Sequence, residues 1–342
     1  MNQFEGFING VAHGVAALQM QSGPIATRLL NNGMDVNKAL RTYSVLRKDE
    51  WKEMDDAVLE IQQSRLIAVG DLLSRNLVYR TNGLGTTVLE YEDVNDENAA
   101  ELSMDGLTRA DNDRPVYSIK YLPLPLTHKD WQINARVLAA SRNGGSPLDT
   151  FKQQRASRKI AEKLEQMLIT GTSSYTFGGG TIYGYLDHPS NNDVTLGAAW
   201  DAADSSSGSD LIGARVLADV LALKQALIDA GFTGGEKMLY IPTAYETVLD
   251  QQFKLQSDRS IREVIMAISG IADIKVLDEL TADNVVMVQM SSDVVRMVVG
   301  LPVTNVEWPV EGGMATNFKT MTIQVPQIRA DQDGNCGVAL LS

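Results

Sequence analysis

The sequence predicts an α+β fold with more than one subdomain. Helix-period segments occur at residues 49–74 and 146–170, the second with a clear N-terminal cap. A block at residues 210–301 alternates capped helices with short Val- and Ile-rich strands. A polar-alternating strand follows near the C-terminus. At 342 residues the chain exceeds the size at which one core stops growing. Hydrophobic residues make up 44% and charged residues 21%, a composition for burying a large core.

Taken in order, residues 1–40 mix polar and apolar positions and are broken by Gly10, Gly14, Gly23, Pro24 and Gly33, as in an arm with short helical pieces. The N-terminus has apolar character from Phe7 to Met20, but Glu5 precedes that stretch, His13 interrupts it, and no Lys or Arg precedes Arg28. No secretory signal is expected from it. Over residues 49–74, Trp51, Met54, Val58 and Ile61 fall at helical spacing, and Leu66, Val69, Leu72 and Leu73 continue the stripe.

Strand-forming residues then take over. Val78, Tyr79, Thr86, Thr87, Val88, Leu89 and Tyr91 predict one strand, and Val116, Tyr117, Ile119, Tyr121, Leu122 and Leu124 another. Between them runs an acidic stretch: Glu90, Glu92, Asp93, Asp96, Glu97, Glu101, Asp105, Asp111 and Asp113, against the single Arg109. This is a long two-stranded excursion, and such a hairpin needs a surface to lie on.

Ser146, Pro147 and Asp149 form a helix start, and Gly171 stops that helix near Thr170. Phe151, Ile160, Leu164, Met167 and Leu168 make its apolar stripe. Lys152, Arg155, Arg158, Lys159 and Lys163 make a basic face. A glycine loop at 178–180 and a serine-rich connector at 205–209 follow. Helices are expected over 210–230, ended by Gly231, over 244–253, and from the capping box Ser260-Ile261-Arg262-Glu263 to Gly270. Strands are expected at 238–241, 274–277, 285–290, 294–301, 319–329 and 336–341, the one at 319–329 half-buried with Met321, Ile323 and Val325 inward.

The chemistry-bearing residues do not assemble into a catalytic pattern. His13, His128 and His188 lie in no zinc-binding spacing. Cys336 is the single cysteine, which excludes an intrachain disulfide, fits a reducing compartment and reads as a buried, inert thiol. Gly178-Gly179-Gly180 lacks the Lys-Ser/Thr of a phosphate loop and reads as a turn with positive φ. His188 before Pro189 reads as a loop-fixing hydrogen-bonder. The acidic stretch lacks calcium-loop spacing. No catalytic residue, cofactor or metal site is expected. A net charge of −13 and a pI near 4.7 argue against a dedicated nucleic-acid binder but not against a container that must let nucleic acid pass in and out.

The acidic stretch and the basic helix face have opposite sign and similar length. Glu90, Glu92, Asp93, Asp96 and Glu97 of one subunit are thus candidate assembly contacts for Lys152, Arg155, Arg158 and Lys159 of a neighbour. A solvated face is the alternative for each.

The order of parts resembles a tailed-bacteriophage major capsid protein, a fold shared with encapsulin shells. Gly184-Tyr185-Leu186-Asp187-His188-Pro189 is similar to the Gly-x-x-Asn-His-Pro loop after the spine helix of such shells, with Asp187 in place of Asn. Met238-Leu239-Tyr240-Ile241-Pro242 with Tyr245 resembles a strand-to-helix step of the A-domain. Asn317-Phe318-Lys319 through Ile328-Arg329-Ala330 resembles the returning strand, and residues 294–299 are closer to encapsulin-like shells. The resemblance implies an N-arm and N-terminal helices at 1–75, an E-loop at 76–125, a P-domain with a spine helix at 126–205, an A-domain at 206–312 and a returning strand at 313–342.

It further implies self-assembly through pentamers and hexamers into an icosahedral head around double-stranded DNA, without sequence-specific binding or a membrane. The implied partners are a portal and, because no scaffolding extension is seen before the arm, a separate scaffolding protein. The implied place is the virion, with assembly in the bacterial host cytoplasm. No lysine–asparagine crosslinking pair can be nominated. Gly83, Gly85, Gly171 and Gly208 are candidates for absorbing angle changes between rings. The alternatives are an encapsulin-type compartment that packages a cargo enzyme, and an unrelated α/β enzyme.

Overall fold

A computed structural model describes residues 67–94, 104, 117–134, 151–202, 208–254, 258–281, 283–310, 315–331 and 334–342. Its elements run α1 (Ala68–Ser74), β1 (Val78–Arg80), β2 (Val88–Val94), β3 (Tyr117–Pro123), β4 (Thr127–Asn134), α2 (Phe151–Ile169), β5 (Thr172–Phe177), β6 (Gly180–Ile182), β7 (Asn192–Val194), α3 (Gly208–Asp229) and β8 (Lys237–Pro242). A 3₁₀ turn (Thr243–Tyr245) leads into α4 (Glu246–Leu249). Then come α5 (Ile261–Met266), β9 (Ile271–Leu277), β10 (Val285–Gln289), β11 (Val295–Val310), β12 (Ala315–Ile328) and β13 (Val338–Leu341). The chain forms two compact units.

The first unit holds residues to Thr87, Leu124–Gln166 and Met297–Val325. Its sheet has the order β1-β11-β12-β4. β1 runs parallel to β11, with Val78 opposite Met297, and β12 runs antiparallel to β4, with Phe318 opposite Trp131. That cross-strand pair stacks, ring centroids 4.2 Å apart and 13° from coplanar. α2 turns Ala156, Ile160, Ala161 and Leu164 inward. It is joined to the sheet by a buried polar cluster. The Gln153 amide donates to Asn305 Oδ1 at 2.8 Å and to Thr320 Oγ1 at 3.2 Å, and the Thr320 hydroxyl donates to Asn305 at 2.8 Å.

This cluster corrects the half-buried reading of the last long strand. β12 is central, and its polar residues Thr320, Thr322 and Gln324 are buried as well. Thr322 donates to the Leu301 carbonyl at 2.9 Å. Hydrogen bonds rather than solvent satisfy the hydroxyls of Thr320 and Thr322 on that side of the strand.

The second unit holds Val88–Pro123, Met167–Arg296 and Pro326–Ser342. Its sheet has the order β7-β13-β10-β8-β9, with β10 antiparallel to β13 and β8, and β8 parallel to β9. α3 covers it with Val216, Val220, Leu223 and Leu227, spaced four, three and four apart as a helical stripe requires. Gly231, at φ +88°, closes α3. Phe232 N–H bonds the Leu227 carbonyl at 2.8 Å and Gly231 N–H the Ile228 carbonyl at 2.9 Å, the paired bonds of a Schellman cap. Trp200 stacks on Tyr245 at 4.9 Å and donates Nε1–H to Asp219 at 2.8 Å. Burial is the main influence on the Asp219 carboxyl and raises its pKa, against the lowering effect of the Trp200 bond.

Several boundaries differ from the sequence reading. The strand expected from Val78 to Tyr91 is two strands, because Asn82 folds the chain: its carbonyl accepts from Thr86 N–H at 2.9 Å and its side chain from Gly85 N–H at 3.3 Å. The helix expected over 244–253 is only the 3₁₀ turn and α4. The glycine loop at 178–180 is the turn of a hairpin, β5–β6, with Gly178 at φ +60° and Gly179 at φ +82°. Of the expected helix at 49–74, only α1 lies within the described residues. Ser260 caps α5 as expected, its hydroxyl accepting from Glu263 N–H at 3.3 Å.

Gly83 and Gly171 sit at close approaches of the backbone. A Cβ on Gly83 would meet Gly300 Cα at 2.7 Å. Gly171, at φ +69°, lies against Asp187 and Gly184. The carbonyls at the end of α2 accept from the following loop, Leu168 from Tyr185 N–H and Ile169 from Leu186 N–H, both at 2.9 Å.

Candidate assembly interface

The hairpin β2–β3 is antiparallel with Glu90 opposite Tyr121, Glu92 opposite Ile119 and Asp93 opposite Ser118. Directly opposed residues share a face, and alternation puts the Asp93 pair on one face and the Glu90 and Glu92 pairs on the other. Glu90 and Glu92 are exposed there, beside two large apolar side chains, Ile119 at 56% and Tyr121 at 39% exposure. The base of the hairpin lies against β6. A Cβ on Gly180 would collide with the Tyr121 carbonyl, and one on Gly178 would lie 2.6 Å from Val88 Cγ2. The exposed face is therefore mixed, acidic and apolar, on strands anchored at one end. Asp96 and Glu97 lie outside the described residues, as do the later acids of the stretch.

The structure brings Lys152, Arg155, Arg158 and Lys159 together on exposed positions of α2. They line an open cleft of about 510 Å³ with Lys129, Asp130 and Trp131 of β4 and Ala156 and Glu162 of α2. Lys152 Nζ donates to the Gln132 carbonyl at 2.9 Å, which ties the helix to the edge strand. Arg158 and Lys159 share Glu162, at 2.9 and 2.7 Å. The Lys159 hydrogen bond, with help from Arg158, holds the Glu162 carboxyl below the usual carboxylate range. Asp130 is paired with His128 at 3.3 Å and Lys319 at 3.5 Å. Five cations against two carboxylates, over the half-buried Trp131 indole, make a cleft suited to an acidic segment with apolar side chains.

Sequence reasoning missed β4, and with it Lys129 and Trp131. The signal was present: Thr127, Lys129, Trp131 and Ile133 alternate with His128, Asp130, Gln132 and Asn134 in strand period. Other chemistry-bearing residues have structural work. Cys336 is buried and its thiol is pushed up to about 12, chiefly by burial. His188 Nδ1 accepts from Ser190 N–H at 3.2 Å and its ring meets Tyr183 edge-on at 5.5 Å. Asp187 accepts from Gly184 N–H within the same loop. Among the described residues no group of three His, Cys, Asp or Glu could hold a metal ion, and no helix is long and apolar enough to cross a membrane.

Comparison with known proteins places the chain. No curated protein matches it. Among solved structures, it is similar to a virus-like particle from Pyrococcus furiosus, at 18% identity and a TM-score of 0.61, over 85% of this chain and 98% of that one. It is similar to the capsid of Myoviridae phage XM1, at 10% identity and a TM-score of 0.58, over 78% and 89%. It is also similar to the capsid of a native GTA particle, at 12% identity and a TM-score of 0.55, over 88% and 92%. The chain has the α+β fold of the phage major capsid proteins. Residues 38–340 match the model of a family of unknown function, DUF6260. The chain belongs to that family, and its fold is that of capsid shells.

Proposed function

We propose that this chain is the major shell protein of a tailed bacteriophage, a non-enzymatic building block that assembles with copies of itself. The observation that carries the reading is the breadth of the match: the fold of proteins described as capsids and a virus-like particle extends over 78–88% of this chain. In this reading the chain forms pentamers and hexamers that close an icosahedral head around double-stranded DNA, with a portal and a separate scaffolding protein, in the host cytoplasm. Residues 1–75 serve as N-arm and helices, 76–125 as E-loop, 126–205 as P-domain, 206–312 as A-domain and 313–342 as the returning strand. The exposed face of β2–β3, with Glu90 and Glu92, docks on the cleft of Lys152, Arg155, Arg158 and Lys159 of a neighbouring copy, and Asp93, Asp96 and Glu97 of the same acidic stretch are further candidate contacts. Opposite charge and the paired apolar groups, Ile119 and Tyr121 against Trp131, support that contact.

Negative-stain electron microscopy with light scattering on the protein expressed alone and with candidate scaffolds tests the reading. Rings or closed shells of megadalton mass are expected. The 98% coverage of the archaeal particle favours one second reading, a small compartment shell. Particle diameter separates it from a phage-sized head. A protein that stays monomeric or dimeric under every condition refutes both.

A further inference from the structure

Glu165 lies on α2 and is 5% exposed. Its two carboxyl oxygens accept from the first N–H groups of α1: Ala68 at 2.6 Å and Val69 at 3.2 Å. α1 has no cap of its own, since its N-cap residue is Ile67. Those N–H groups would otherwise be orphaned. Glu165 therefore caps, from almost a hundred residues away, a helix whose Ala68, Val69 and Leu72 are fully buried. The charged group facing Glu165 from α1 is another buried acid, Asp71, 6% exposed. On its own helix the nearby Glu162 is occupied by Arg158 and Lys159. Among the described residues no cation pairs with Glu165.

We propose that this contact is a pH-sensitive latch, which docks α1 on α2 while Glu165 is protonated and loosens as it becomes charged. A buried carboxylate without a countercharge is costly, and a second acid facing it adds repulsion. The N–H groups of Ala68, Val69 and Ile67 favour the charged form, yet burial outweighs them and the Glu165 carboxyl is pushed up to about 7. The uncharged acid still accepts through its carbonyl oxygen. The charged form gains most by reaching water, which it does when α1 lifts away. The folded pKa is raised, so the stabilisation of docking is fully present below the ordinary glutamate value. It is lost as pH rises through about 7.

Hydrogen exchange on the full chain at pH 6 and pH 8.5, corrected for intrinsic rates, tests the latch. The opening equilibrium of the α1 amides is expected to rise about tenfold over that range. Amides of α3, such as Leu223, serve as the reference and should not move. Glu165→Gln keeps size and an acceptor and should abolish the pH response of α1. Asp71→Asn removes the facing acid and should move the response to lower pH and shrink it between pH 6 and pH 8.5, a readout that serves if Glu165→Gln fails to fold. An unchanged α1 opening in the wild type, or an equal response in wild type and Glu165→Gln, overturns the latch. So does an Asp71→Asn response at the wild-type pH.

Discussion

Changing both Glu90 and Glu92 to Lys reverses the sign of the exposed hairpin face without touching the opposite one. The cleft carries Lys129, Lys152, Arg155, Arg158 and Lys159 against Asp130 and Glu162, a net three positive charges. Each substitution swings one charge by two units. At a separation of about 8 Å in water this amounts to ~3 kcal/mol. Screening at about 0.15 M salt cuts it to ~1 kcal/mol. Two substitutions then weaken each contact by ~2 kcal/mol, about thirtyfold. A closed shell repeats the contact on every subunit, so the effect on assembly is steeper than on one pair. Light scattering against protein concentration should show the onset of assembly moved well upward, and less so at about 1 M salt. Adding Lys152→Glu and Arg155→Glu should restore it. The reasoning is refuted if the hairpin double variant assembles at the wild-type concentration with the wild-type salt dependence.

Other outcomes follow from the cores. Gly83→Ala places a Cβ 2.7 Å from Gly300 Cα and 3.1 Å from Ile323 Cδ1, and should cost about 1–3 kcal/mol in urea unfolding. Trp200→Phe removes the donor to Asp219 and trims the stack on Tyr245; a loss of about 2–3 kcal/mol is expected, read by denaturation followed by circular dichroism. Glu165 binds its proton more tightly folded than unfolded, so its contribution to stability falls as pH rises from about 4.5 to about 7. Glu165→Gln should accordingly flatten the pH profile of unfolding across that window, by up to ~3 kcal/mol.

The legible parts of the fold are those with local causes. The ends of α3, α2 and α5 were marked by Gly231, Gly171 and Ser260, because caps act through backbone geometry within a few residues. The Val-rich β10 and β11 and the short β8 were marked by continuous apolar runs. What escaped depends on partners far along the chain. β12 looked half-buried because Thr320, Thr322 and Gln324 read as solvent-facing. Nothing local announces that Gln153 and Asn305 supply their hydrogen bonds. The close approach of Gly83 escapes for the same reason, since its neighbour Gly300 is more than two hundred residues on.

The candidate interface divides the same way. Charge is a property of composition, so the acidic hairpin and basic helix were both visible in the sequence. Direction is a property of register. Only the pairing of Glu90 with Tyr121 and Glu92 with Ile119 reveals that the exposed acids share their face with apolar groups. Only the edge position of β4 adds Lys129 and Trp131 to the helix cations. The proposed contact is thereby changed from an ion-pair match, which salt would dissolve, to a mixed one. Screening weakens its charges and leaves its apolar burial intact. Replacing Ile119 and Tyr121 with Ser therefore separates the two contributions. Assembly of that variant should remain weak in low salt, where the charge reversal acts most strongly, and should not recover as salt is raised.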